Sequence, residues 1–146
     1  MKIRSTIVAT LVMLSTAVPA LARDTAAPDG AAVYFVTLKD GDTVSSPVTV
    51  QFGLRELGVA PAGTERDNTG HHHLLIDTTA YGADTLDTFD DGIPGDDHHK
   101  HFGGGQTEVT LDLSKGTHTL QLLVGDMFHV PHVNPIYSEQ ITITVD

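Results

Sequence analysis

The chain has no cysteine and no tryptophan among its 146 residues. Without cysteine no disulfide can staple the fold. A blue-copper centre is excluded too, because it needs a cysteine sulfur. So is a lipid-modified N-terminal cysteine. Lacking both residues, the chain cannot form the Cys…Trp…Cys core of an antibody-type domain. Basic residues are scarce: eight Lys+Arg stand against 19 Asp+Glu, a formal charge of −11. Nucleic acid and anionic lipid are bound through basic patches, so neither is expected as a partner. An acidic surface of this kind attracts cations.

Long apolar runs are also scarce. The stretch from Ile7 to Val18 is interrupted only by small polar residues, but it is shorter than the about 20 residues that span a bilayer. Met1-Lys2-Ile3-Arg4 sets two positive charges before it, Pro19 breaks it, and Ala20-Leu21-Ala22 follows as a small-x-small cleavage pattern. This layout predicts a secretory signal over residues 1–22 and a periplasmic or secreted product. Cleavage would remove two of the eight Lys+Arg and none of the 19 Asp+Glu, leaving a formal charge of −13. No second candidate span follows, so no membrane insertion is expected after cleavage. The length suits one domain, large enough to bury a core without staples.

Residues 23–31 read as a short flexible leader and residues 32–146 as the domain. Val33–Leu38 is β-rich, and Asp40-Gly41 suits a turn. Val48, Val50, Phe52 and Leu54 alternate with Thr49, Gln51 and Gly53, the two-residue period of a strand with one buried face. Similar signals recur at His71–Asp77, at Val109, Leu111 and Leu113, at Leu120, Leu122 and Val124 with His118 in phase, and at Ile141, Ile143 and Val145. Residues 55–70 and 78–105 read as loops, the second long, acidic and rich in glycine. Six or seven strands without a convincing helix predict an all-β, antiparallel, immunoglobulin-like β-sandwich.

What is abundant is histidine. Eight of the nine fall in three groups: His71, His72 and His73; His98, His99 and His101; His129 and His132. His118 stands alone. On a strand, alternate side chains share a face, so His71 and His73 point the same way with Cα atoms roughly 6.6 Å apart. Two imidazoles at that spacing can grip one ion. His72 then shares the other face with Leu74 and Ile76. In the second group, Asp96 and Asp97 stand beside imidazoles they can orient or supplement as ligands. In the third, Pro131 narrows the range of positions open to His129 and His132. Loops cluster at the ends of a sandwich, so the groups have a route to converge.

Imidazole with some carboxylate suits Zn²⁺ or Cu²⁺, and less well Ni²⁺. A Met-rich Cu⁺ site is disfavoured, since Met127 is the one methionine beyond the signal. Asp87, Asp90, Asp91, Asp96 and Asp97 hint at calcium, but the EF-hand spacing fails: counted from Asp87, Phe89 takes a ligand position and His98 replaces the terminal Glu. The expected metal ligands are His71, His73, His101, His129 and His132, with His72, His98, His99, Asp77 and Glu108 as second choices. The plain alternative is solvated or structural histidine, and His118 is assigned that role. Gly103-Gly104-Gly105 lacks the Gly-Lys-Ser/Thr ending of a phosphate loop. No Gly-x-Ser-x-Gly elbow and no His-Glu-x-x-His helix is present.

Several segments resemble a family of short exported bacterial proteins that carries only a domain-of-unknown-function name. They are Gly58–Gly63, the HHHLLID stretch within Gly70–Asp77, His101-Phe-Gly-Gly-Gly-Gln-Thr-Glu108, His129-Val-Pro-His132, and Ser138–Val145. The resemblance implies a secreted β-sandwich with a shared polar surface at those motifs, and it supplies no activity. Phe128 and Val133-Asn134-Pro135 depart from the family's usual residues beside the His129 motif.

Three functions follow, in descending order. The first is a periplasmic module holding Zn²⁺ or Cu²⁺ through clustered histidines. The second is a non-catalytic envelope module that binds another envelope protein, its histidines structural. The third is a metal-dependent enzyme, hydrolytic or copper-redox, with Glu108 or Asp77 as general-base candidates.

Overall fold

A computed structural model describes residues 25–83 and 89–146 of the chain. The expected signal, the first two residues of the expected leader, and Asp84 and Asp87 of the acidic stretch lie outside these residues. Among the described residues nine strands occur in the order β1 (Ala32–Phe35), β2 (Thr43–Val44), β3 (Val48–Arg55), β4 (Gly58–Val59), β5 (Thr69–Ile76), β6 (His99–His101), β7 (Glu108–Leu111), β8 (Gly116–Gly125) and β9 (Ile141–Val145). There is no helix among the described residues, and hence none long and apolar enough to cross a membrane.

Strands β1, β3 and β7 form one sheet in that order. The second sheet runs β2-β9-β8-β5-β4, with β6 also paired to β5. The architecture is the expected sandwich. Its pairing is antiparallel except at the two-residue strands β2 and β4, which lie parallel to β9 and β5. The surplus over the expected strands comes from β2, β4 and β6. These are too short to show a period, and β6 sits within a stretch read as loop.

The alternating runs form the strands they predict. Val48, Val50 and Phe52 of β3 are buried, as are Ile141, Ile143 and Val145 of β9. They meet Leu74, Ile76, Leu120, Leu122 and Val124 from β5 and β8 in one core. Each such side chain contributes about 1.5–3 kcal/mol by leaving water.

Strands β5 and β8 depart from alternation. Every residue of Gly70–Ile76 and Leu120–Gly125 is buried, because the outer face of this sheet is covered as well. Leu75 and Leu123 point outward and pack with Ile93, against which Tyr81 and Phe89 rest. Strand β5 is therefore interior in every direction. Strand β8 pairs along one edge, while β4 and β6 share the other.

The described part of the expected leader lies against the domain. Thr25 Oγ1 donates to Asp126 Oδ2 at 2.8 Å, and Val133 N donates to Thr25 O at 3.0 Å.

Candidate metal centre

Period two on β5 places His71, His73 and Leu75 on the outward face and His72, Leu74 and Ile76 on the core face. His73 pairs directly with His101 across β5 and β6, which brings the second histidine group to the first. The loop after β8 supplies His129. One ligand nitrogen from each of His71, His73, His101 and His129 lies within 4.8 Å of the other three. Among the described residues no other set of three or more His, Asp or Glu side chains converges in this way.

The contacts are close and of one chemical kind. His71 Nε2 stands 3.0 Å from His73 Nε2 and 3.2 Å from His129 Nδ1. Ring centroids of His101 lie 5.0 Å from both His71 and His73 and 4.6 Å from His129. A neutral imidazole nitrogen carries either one proton or one lone pair, so no tautomer lets His71 Nε2 form a full hydrogen bond to both neighbours. Lone pairs converging on a point repel unless a cation stands there. Nitrogen ligands at the vertices of a zinc tetrahedron lie roughly 3.3 Å apart, within a few tenths of an ångström of the two contacts.

Two glycines make room for the rings. A Cβ on Gly125 would stand 2.9 Å from His73 Nε2. A Cβ on Gly103 would overlap the His101 ring. His71 and His73 are fully buried, and their Nδ1 atoms have no hydrogen-bond partner. Packing against the sheet, rather than the usual outer hydrogen bond, orients these two rings.

His129 is set differently. Its backbone is left-handed, with φ of 65°, a region that non-glycine residues visit rarely. The buried carboxylate of Asp126 holds it there. Asp126 Oδ1 accepts from Phe128 N at 2.8 Å and Val130 N at 3.0 Å, and Asp126 O accepts from His129 N at 3.0 Å. Beyond the loop, Ile93 N donates to His129 O at 2.7 Å.

The electrostatics favour neutral imidazole, the form that ligates metal. Burial, then the neighbouring His101 and His129, pushes His71 down to about 4, against an opposing pull from Asp126. Burial, then the other three histidines, takes His73 to about 2. His101 is lowered by burial and by His129.

Of the five expected ligands, four converge. His132 lies outside the group: its Nε2 is 3.3 Å from the Thr69 carbonyl, and burial lowers its pKa. The second choices also lie outside. His72 is fully buried against Phe52, with ring centroids 5.2 Å apart. His98 Nδ1 meets Ile76 O at 2.9 Å. His99 Nδ1 pairs with Asp96 Oδ1 at 2.9 Å. Asp77 Oδ2 binds His118 Nδ1 at 2.8 Å. Glu108 Oε2 accepts from Gln51 Nε2 at 3.0 Å on β7. Sequence reasoning missed Asp126, Gly125 and Gly103. The signal for Asp126 was its place directly after Gly125, since aspartate at a turn caps backbone N–H groups a few residues on.

No curated protein and no solved structure matches the chain. Residues 50–146, which include all four converging histidines, match the family described as Domain of unknown function (DUF4399), and the chain belongs to that family.

Proposed function

We propose that this protein is an exported module that binds one divalent transition-metal ion, Zn²⁺ or Cu²⁺, through His71, His73, His101 and His129. One observation carries the reading: four imidazole nitrogens from three segments distant in sequence lie within 4.8 Å of one another. Four neutral nitrogen donors without carboxylate or thiolate suit zinc, copper and nickel, and are a poor match for calcium or magnesium. Export is supported by the charged start, apolar run and Ala20-Leu21-Ala22 pattern at the N-terminus.

Isothermal titration of the purified domain with Zn²⁺ and Cu²⁺ tests the reading. Binding of one ion per chain is expected. His101 is exposed, so His101→Ala removes a ligand with little effect on packing and is expected to weaken binding at least tenfold. His132→Ala is expected to leave affinity within about twofold. Equal affinity in the wild type and His101→Ala contradicts the assignment. N-terminal sequencing of the product from the bacterial envelope is expected to begin at Arg23, and a chain retaining residues 1–22 contradicts export by cleavage.

A further inference from the structure

Thr25 touches the loop that carries His129 at both of its ends. This loop, residues 126–133, leaves β8 and turns back along it, with Pro131 bridged to Gly125. Thr25 Oγ1 donates to Asp126 Oδ2 at 2.8 Å, and the Thr25 carbonyl accepts from Val133 N at 3.0 Å. A residue 101 positions from Asp126 thus clasps the first and last residues of the loop. The segment behind Thr25 is anchored. Ala27 packs against the main core, and Ala31 N donates to Pro28 O at 3.1 Å.

The side-chain bond completes a set. Asp126 Oδ1 accepts from Phe128 N and Val130 N, the two N–H groups that flank His129. Among the described residues Thr25 Oγ1 is the donor to Oδ2. The last torsion of an aspartate is soft, so a carboxylate held at one oxygen alone can swing about its Cβ–Cγ bond. Bonds on both oxygens fix its plane, and with it the two N–H groups that keep His129 at its φ of 65°. A cavity of about 420 Å³ lies beside the clasp, with Thr25, Arg66, Thr69, Asp126, Met127 and His132 in its walls. Asp126 borders this cavity, yet with Thr25 in place it is 1% exposed. Lifting the segment away opens the carboxylate to the cavity's water, which competes for it with the two N–H groups.

We infer that Thr25 is a positioning residue for the metal centre: the N-terminal segment is a clasp that holds the His129 loop in its ligating form and sets how firmly the ion is retained. The inference rests on the metal-binding reading above and adds a regulation to it. The clasp acts through Asp126 on one ligand of the four, so its loss weakens the site without abolishing it. Thr25 stands three residues beyond the proposed cleavage point at Ala22. Trimming of the exported product past Thr25, or capture of this segment by another molecule, then releases the ion more readily.

Zinc affinity of the purified protein, measured by competition with a chromophoric chelator, tests the clasp in three variants. Thr25→Val keeps the side chain's shape and removes the donor. Its zinc affinity is expected to fall about fivefold, the equilibrium factor of one typical hydrogen bond. Thr25→Ser restores the hydroxyl and is expected to bind within about twofold of the wild type. Thr37→Val removes a hydroxyl that bonds Thr49 O and Gln51 N on β3 of the other sheet, and is expected to leave zinc affinity unchanged. Wild-type affinity in Thr25→Val, no recovery in Thr25→Ser, or an equal loss in Thr37→Val overturns the clasp and leaves the metal reading intact. Absence of zinc binding by the wild type overturns both.

Discussion

Asp126 holds the backbone of His129 in its left-handed turn, with the carboxylate accepting from Phe128 N and Val130 N on either side and the Asp126 carbonyl accepting from His129 N. A buried acidic side chain thus fixes a proposed ligand without being one. Asp126→Ala removes the side-chain acceptor shared by Thr25 Oγ1, Phe128 N and the buried Val130 N. The expected loss is about 3 kcal/mol in urea unfolding and a 10- to 100-fold drop in metal affinity, the range typical of outer partners. Wild-type affinity in a folded Asp126→Ala protein would show that the turn does not position His129.

Gly125 makes a second prediction. It pairs with His71 across β5 and β8, and its missing side chain is where the His73 ring sits. Gly125→Ala places a methyl group 2.9 Å from His73 Nε2, closer than van der Waals contact. Metal affinity is expected to fall at least tenfold although all four ligands remain. Calorimetry on this variant checks it, and unchanged binding would mean that His73 is not needed where it stands.

Part of this arrangement was legible in the sequence. Alternation in Val48–Leu54 and in Ile141–Val145 marked strands with one wet face. The same period put His71 and His73 on one side of β5. The register of His101 opposite His73 was not legible, because β6 is three residues long inside a stretch without a pattern. Its His-Lys-His spacing at residues 99–101 repeats that of His71 and His73 and was the available clue. A three-residue spacing groups His132 with His129 in the sequence. The left-handed turn at His129 separates them, and His132 turns to Thr69 instead. Burial of both faces of β5 and β8 depends on loops that pack from far along the chain, which local pattern does not report.

The buried histidines make the metal-free protein sensitive to acid. His71 and His72 are both lowered to about 4, chiefly by burial, with the Gln106 backbone offsetting part of the shift at His72. Their folded values lie below the unfolded one, so the unfolded chain takes up protons first as pH falls. This contribution to stability is complete above about 6.5 and is lost progressively toward pH 4. For His72, fully buried, it is on the order of 3 kcal/mol across that window. Urea midpoints of metal-free protein are expected to fall between pH 7 and 5, and His72→Leu is expected to flatten the slope. An unchanged slope in that variant contradicts the attribution.

His118 acts with the opposite sign. Its Nδ1 meets Asp77 Oδ2 at 2.8 Å and its Nε2 meets Ser114 O at 2.9 Å. Both contacts favour the protonated ring, led by the Asp77 bond, and its pKa is raised. Burial works against ionisation of Asp77, but the His118 bond and the Thr119 N–H outweigh it and lower its pKa. The stabilisation from His118 is complete below the unfolded value of about 6.5 and is lost as pH rises through the raised folded value. His118→Gln is therefore expected to cost more stability at pH 6 than at pH 9. Equal cost at both would show that the pair is not ionic.

Anomalous diffraction from crystals soaked in Zn²⁺ or Cu²⁺, collected on both sides of the metal edge, asks most directly whether these imidazoles share an ion. The account predicts one strong peak per chain, about 2.0–2.1 Å from a ring nitrogen of each of His71, His73, His101 and His129. A peak bound by His132, His98 or His99 in their place, or no peak in a well-diffracting crystal, would contradict it.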